Sequence, residues 1–361
     1  MARHSARHMK TTVGDTGATP RMPVWRRIVD LIAGMLLILG MLGGFHAMWI
    51  GYGQGLDMIH RQETIARTQN VKAATVNASS TRIAEPRAGD PPMESRPAHA
   101  SVMGWMWIPR FGAGWHRAIQ EGTGLDVLNN YGIGHYETSV MPGMTGNSAY
   151  AGHRTMGDLG PANLLQPGDP IIIQTADRWY VYEMQKSWET TPDDVAVLDN
   201  QGDAKIITLT TCRDSLDLQD SLSHRFIVRG RFKYWANTAD GIPSELAPKS
   251  DPISKTVART VDVTRTLSVR APMSMWLAAA TGLLWLLTLG LGRLLAGRNR
   301  KRPATWNPMI LLWRIQQGGL IGKPLGFMCM WLTVMFAQWA WLSPWLATLL
   351  PVFSGTGAMN M

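Results

Sequence analysis

Lys205-Ile206-Ile207-Thr208-Leu209-Thr210-Thr211-Cys212 is followed at once by Arg213-Asp214-Ser215-Leu216-Asp217. A run of aliphatic and β-branched residues that gives way to charge predicts a strand ending at Cys212 and a loop beginning there. Further on, Arg225–Tyr234 predicts another strand. Working outward, strands are expected at Gly104–Pro109, Trp115–Gln120, Ser148–His153, Pro170–Thr175 and Trp179–Trp188, separated by Gly, Pro, Asn and Asp. Val127–Tyr131, after Gly122-Thr123-Gly124, and Asp158–Leu165 predict short helical or irregular pieces. There is no internal repeat and no βαβ alternation. Residues 101–236 therefore read as one all-β domain, a barrel or a sandwich, of ordinary single-domain size.

The flanks carry a different signal. Leu31–Tyr52 is almost free of charge and about the 20 residues long that a helix needs to cross a bilayer. It exceeds a signal-peptide core and no A-x-A site follows, so an uncleaved anchor is expected. Met273–Gly292 predicts a second span and Leu325–Leu350, interrupted by Pro344, a third. The formal net charge is +9, and Lys and Arg crowd beside the apolar runs: Arg21, Arg26 and Arg27 before the first, Arg293, Arg298, Arg300, Lys301 and Arg302 after the second. Such clusters mark the cytoplasmic side. No basic stripe with interleaved aromatics occurs in the middle, which excludes nucleic-acid binding. The expected organisation is a basic cytoplasmic N-terminus (1–27), a transmembrane helix (28–53), an extracytoplasmic linker (54–100), the β-domain (101–236), a linker (237–272), a transmembrane helix (273–292), a basic cytoplasmic or interfacial segment (293–324) and a third transmembrane helix (325–353). The protein is thus expected in the cell membrane as a multi-pass chain, with its N-terminus cytoplasmic and its β-domain extracytoplasmic.

Only two cysteines are present. Cys329 lies in the apolar run Phe327–Trp331, as a small hydrophobe. Disulfide and zinc frameworks are absent, and no metal-ligand cluster or cofactor motif is evident. Cys212 alone fits a core cysteine as well as a nucleophile poised at a strand end. His153, in Ala151-Gly152-His153-Arg154-Thr155, alone fits a hydrogen-bonded structural imidazole as well as a base. Together the two form the minimum for thiol catalysis, because a free thiol needs a base or cation nearby at neutral pH. Strand alternation puts Arg225, Ile227 and Arg229 on one face, with Phe226 and Val228 on the other. Arg225 alone fits a surface arginine, or a clamp for a carbonyl oxygen that gains charge.

The order A-G-H-R, then T-L-T-T-C, then H-R-F-I-V-R-G resembles the sortase family. Trp107-Ile108-Pro109, Glu121-Gly122-Thr123, Gly134-His135-Tyr136, Met141-Pro142-Gly143, Gly146-Asn147 and Pro167-Gly168-Asp169 resemble further family phrases in the family's order, so the resemblance covers roughly 104–235. It implies an eight-stranded sortase β-barrel with short helices and a catalytic trio of Cys212, His153 and Arg225. Thr210 and Thr211 are candidates for positioning the substrate. Cleavage is implied between Thr and Gly of an L-P-x-T-G or L-A-x-T-G sorting signal. The implied partners are surface proteins or pilins bearing that signal, and as acceptor a cell-wall peptide amine or a pilin lysine.

T-L-T-T-C and A-G-H-R-T look like class E sortases. H-R-F-I-V-R-G and the helix after the domain look more like class C pilin polymerases. The class C lid motif has only an echo in Asp90-Pro91-Pro92-Met93, read here as linker. Where the family often has Pro after the cysteine, this chain has Arg213-Asp214, and its loop is acidic (Asp214, Asp217, Asp220), a rim that could attract an amine acceptor. An L,D-transpeptidase would need Ser-His-Gly before the cysteine, and a papain-like protease the reverse order of Cys and His. A membrane-tethered β-domain serving as a binding or assembly module is the non-enzymatic alternative.

Overall fold

The computed structural model describes residues 23–74, 76, 82–124, 126–128, 132–155, 158–212, 223–247, 260, 263–264, 266–296 and 305–349. Eight strands form the central domain: β1 (Val102–Trp107), β2 (His116–Glu121), β3 (Ile133–His135), β4 (Gly146–Gly152), β5 (Pro170–Gln174), β6 (Arg178–Thr190), β7 (Lys205–Cys212) and β8 (Arg225–Asn237). They close a barrel in the order β1-β2-β3-β4-β7-β8-β6-β5. The β2–β3 and β4–β7 pairs are parallel and the others antiparallel.

The barrel interior holds Met106, Ile119, Ile133, Tyr150, Ile171, Ile173, Tyr180, Tyr182, Ile207, Leu209 and Val228. Across the sheet, Trp105, Trp107, Ile172, Trp179, Val181 and Tyr234 form a second buried layer, packed with Ile65, Ala66, Val71, Ala73 and Ala74. Burial on both faces explains why β1, β5 and the first half of β6 read as nearly continuous apolar runs rather than alternating ones.

Seven strands lie where the sequence predicts them, with ends shifted by a few residues; β4 stops at Gly152, so His153 follows the strand instead of ending it. β3 is the unpredicted strand. Its three residues are too few to display a period, and its pairing with β2 and β4 is set by tertiary contacts. Of the helical turn expected at Val127–Tyr131, residues 129–131 lie outside the described residues, whereas 126–128 are helical; Gly160–Leu164 is a 3₁₀ turn.

The stretch 54–100, expected as linker, differs in its first part. A π-helical turn (Trp49–Gly53) joins α1 (Val24–Met48) to α2 (Gln54–Thr68). The sequence of α2 is polar, so it shows no core-like stripe, yet it buries Met58, Gln62 and Ala66. Farther along, the carboxylate of Glu94 accepts bonds from Tyr180 Oη (2.7 Å), Thr175 Oγ1 (2.8 Å) and Arg178 Nη1 (3.0 Å). Asp90 pairs with Lys205, the first residue of β7 and so at the end opposite Cys212.

Three helical stretches are long and apolar enough to cross a membrane: Val24–Met48, Met273–Leu294 and Gly319–Ala347. They involve α1, α3 (Met273–Ala296), α5 (Gly319–Ala337) and α6 (Ser343–Leu349), the last two joined by a π-helical turn at Gln338–Leu342. The short α4 (Pro308–Ile315) precedes α5 and is capped by the Asn307 side chain, which accepts from Met309 N and Ile310 N. The chain divides into two compact units, Met1–Met41 with Thr288–Phe327, and Leu42–Leu287 with Met328–Met361. In the first, Asp30 accepts from Thr305 Oγ1 and Asn307 Nδ2. The second holds the barrel and α2, and within it Trp49, Met335 and Trp339 pack together while Trp339 Nε1 donates to Phe45 O.

Candidate active site

β7 is the element around which the site is built. Its neighbour on one side is β8, whose Arg225 is the direct cross-strand partner of Cys212. Directly opposed residues of an antiparallel pair share a face, and Arg225 Nη1 lies 3.9 Å from Cys212 Sγ. The same nitrogen donates to His224 O at 3.2 Å. Cys212 is half-buried and unbridged.

On the other side β7 runs parallel to β4, with Ala151 opposite Thr210. Parallel strands advance in step. His153 is the first residue after β4, two positions beyond Ala151, as Cys212 lies two positions beyond Thr210. His153 is partly buried, and burial lowers its imidazole pKa below the ordinary value. Its carbonyl accepts from Leu159 N at 3.1 Å, which fixes the backbone where the strand gives way to the connection.

Thr210 shares the face of Cys212 by the two-residue repeat. Its hydroxyl donates to Tyr150 O at 3.2 Å and lies 3.1 Å from Tyr136 Oη. Thr211 points the opposite way. It is opposite Phe226, which packs on the interior cluster, and its buried Oγ1 has no hydrogen-bond partner among the described residues. The two threonines are therefore not equivalent. Arg229, on the Arg225 face, is buried: its Nη2 donates to Val197 O at 2.6 Å and its guanidinium stacks over Trp188. The acidic residues Asp214, Asp217 and Asp220 lie outside the described residues.

One buried node went unremarked as a unit in the sequence. Glu121 Oε2 bonds His135 Nδ1 at 2.8 Å, His135 Nε2 lies 3.0 Å from Ser139 Oγ, and Arg96 pairs with Glu121. Burial pushes the Glu121 carboxyl up, but His135 and Arg96 outweigh it and hold the group below its ordinary value. Ser139 Oγ also donates to Tyr136 O and accepts from Ala149 N, so its hydroxyl is committed to holding β3, β4 and their turn. The signal was present in Glu121-Gly122-Thr123 and Gly134-His135-Tyr136, phrases that carry the resemblance without displaying their pairing.

A closed eight-stranded barrel in this strand order defines a sortase-type domain. The family model of the sortase domain matches residues 106–233, and through that domain the chain belongs to the sortase family. The chain is similar to the sortase SrtE1 of Streptomyces coelicolor (34% identical over 135 residues, 33% of this chain and 37% of that protein). It is also similar to sortase D of Bacillus subtilis (29% over 117 residues, 32% and 57%). It spans about a third of the first relative's length and a little over half of the second's. Among solved structures it is similar to the SrtA sortase from Actinomyces oris (32% identity, 45% of this chain and 96% of that chain, TM-score 0.42). Sortase E from Streptomyces avermitilis is similar as well (31%, 42% and 99%, TM-score 0.38). The likeness is to class E, and sortase homologues are in general cysteine transpeptidases.

Proposed function

We propose that the chain is a membrane-anchored sortase that cleaves an L-A-x-T-G or L-P-x-T-G sorting signal between Thr and Gly and transfers the threonyl end to an amine of the cell wall. The observation that carries this reading is the placement of Cys212 directly across the ladder from Arg225, with His153 following the strand that pairs with β7 on its other side. Cys212 Sγ attacks the threonine carbonyl carbon while the carbonyl oxygen, gaining negative charge, is held by the Arg225 guanidinium. The Thr–Gly C–N bond breaks, His153 gives its proton to the departing glycine amine, and a thioester remains on Cys212. An acceptor amine then attacks the thioester, His153 takes a proton from it, and the thiolate leaves.

The reactive form is thiolate with imidazolium. Burial of His153 works against its charged form. Thr210, on the Cys212 face, positions substrate backbone at the strand end. The basic residues beside the first two apolar helices set those ends in the cytoplasm and the barrel outside. The acceptor is a wall-peptide amine and not a pilin lysine. The likeness to class E supports this, as does the seating of the Asp90 segment on Lys205, away from Cys212.

The test uses the full chain in detergent with peptides carrying either signal. Mass spectrometry should find a thioacyl adduct on the wild type and none on Cys212→Ala. No adduct from a folded protein whose Cys212 also resists alkylation would favour the binding-module alternative.

A further inference from the structure

Asp158, on the β4–β5 connection that begins with His153, is almost completely buried, with 1% of its surface exposed. One carboxylate oxygen, Oδ2, accepts from Thr155 Oγ1 at 3.2 Å; the other, Oδ1, has no hydrogen-bond partner among the described residues. A buried carboxylate so sparsely bonded is costly unless opposite charge stands near it. Two guanidinium groups supply that charge, Arg117 of β2 and Arg61 of α2. Arg117 is itself buried, and its Nη1 donates to His116 O at 2.8 Å.

α2 contributes more than Arg61 to this place. Gln62 Oε1 accepts from Ala118 N of β2 at 3.1 Å, and Glu63 Oε1 stands 3.6 Å from His116 Nε2. Gly132, at φ +96°, closes the cluster: a Cβ there would collide with Asp158 Oδ1 and come within 2.9 Å of Gln62 Nε2. Helix, barrel wall and connection therefore meet at one carboxylate.

The segment that carries this carboxylate is tied through its backbone to His153. Asp158 N donates to Thr155 O (3.0 Å), Gly160 N donates to the same oxygen (2.9 Å), and Leu159 N donates to His153 O (3.1 Å). Leu159 is fully buried against Gly152, where a side chain would strike it. Thr155, whose hydroxyl donates to the Asp158 carboxylate, and Leu159, whose N–H donates to the His153 carbonyl, link Asp158 to the backbone on which His153 sits.

We propose that Asp158 is a positioning residue for His153, acting through the Thr155 and Leu159 bonds, and that α2, packed beside it through Gln62 and carrying the cation of Arg61, is part of the support of the active site. The proposal rests on the reading of His153 as the acid–base partner. A purely structural role predicts a loss of folded protein with unchanged turnover per folded molecule; a positioning role predicts lower turnover at intact substrate binding, because a small misplacement of a catalytic group costs up to about 100-fold.

The test compares the full chain in detergent as wild type, Asp158→Asn, Arg61→Gln and the double variant, with a sorting-signal peptide and an amine acceptor. Expected are a kcat at least about tenfold lower for Asp158→Asn, with KM within about twofold. Arg61→Gln should fall in the same sense by less. The double variant should be no slower than Asp158→Asn alone, since the charge that Arg61 offsets there is then already gone. Unchanged kcat in both single variants, or losses that match the loss of folded protein, would overturn the proposal. If Asp158→Asn does not fold, Arg61→Gln decides it alone. The rate of Cys212 alkylation by iodoacetamide, read on the same samples, needs no peptide. If the wild type forms no adduct, the proposed function fails, and the positioning role then stands only if alkylation is slower in the variants than in the wild type.

Discussion

Arg225 and Cys212 are paired residues of one antiparallel ladder, and the guanidinium Nη1 stands 3.9 Å from Sγ. No loop has to close to bring them together; the β7–β8 register does so. In the proposed reaction Arg225 is therefore a fixed donor whose geometry is inherited from the sheet. Removing one preorganised donor to an oxyanion lowers kcat by about 10²- to 10³-fold. Arg225→Ala should show a loss of that size, and Arg225→Lys a smaller one, because lysine keeps the charge without the planar fork. Steady-state transpeptidation by the full chain measures both. A kcat for Arg225→Ala equal to that of the wild type would remove Arg225 from the site.

Two ionisable groups on the β4–β5 connection should leave opposite marks on stability. Burial raises the Asp158 carboxyl from its ordinary 3.8 to about 6, and Arg117 and Arg61 offset it only in part. Between about pH 6 and pH 4 the folded state therefore holds a proton that the unfolded chain has released. Stability relative to Asp158→Asn rises as pH falls through this window, by up to about 3 kcal/mol. For His153, burial depresses the folded pKa. Below about pH 6.5 the unfolded chain takes up the proton first, so stability relative to His153→Gln falls as pH drops. Melting temperatures of the three proteins across pH 4 to 8 give both differences, and a Asp158→Asn difference that is flat or of reversed sign would contradict the burial of a poorly bonded carboxylate.

The strands of the barrel were legible because their runs of β-branched and aromatic residues are bounded by Gly, Pro, Asn and Asp. Cys212 and Arg225 stood out for the same reason, as the last and first residues of two such runs. What the sequence concealed is long-range. β3 has three residues and no period of its own. α2 reads as polar because it buries Gln62 and Glu63, against Ala118 and His116, alongside Met58 and Ala66. Thr210 and Thr211 looked alike as neighbours, and only the pairing of Thr211 with Phe226 shows that one faces the thiol side and the other the core.

The segment 54–100 should contribute to the stability of the barrel. Ile65, Ala66, Val71, Ala73 and Ala74 pack on the outer layer of Trp105, Trp107, Val181 and Tyr234. Gln174 ties the same segment down, accepting from Ala74 N at 2.9 Å and donating to Lys72 O at 3.2 Å. A buried aliphatic side chain contributes about 1.5 kcal/mol or more, so a chain starting at 101 should melt roughly 10 °C below one starting at 54. It should also bind a hydrophobic dye that the longer chain does not. Equal melting temperatures would mean that the outer layer needs no cover.

Thr211 offers a test in which stability and activity separate. Its hydroxyl is buried on the interior side of β7 with no hydrogen-bond partner among the described residues. Such a group forgoes its bonds to water on folding and regains nothing, at a cost of about 1 to 3 kcal/mol. Thr211→Val replaces the hydroxyl with a methyl of nearly the same shape, next to Phe226 and the interior cluster. The variant should therefore melt at the same temperature or higher, by thermal unfolding of the full chain in detergent. Because folding is not lost, turnover on the same sample reads the hydroxyl's part in the site directly. Thr210→Val is the contrasting case, since its hydroxyl donates to Tyr150 O and lies beside Tyr136 Oη. That change should lower the melting temperature by the equivalent of about 1 kcal/mol. Destabilisation of Thr211→Val by as much as Thr210→Val would show that the Thr211 hydroxyl is bonded after all.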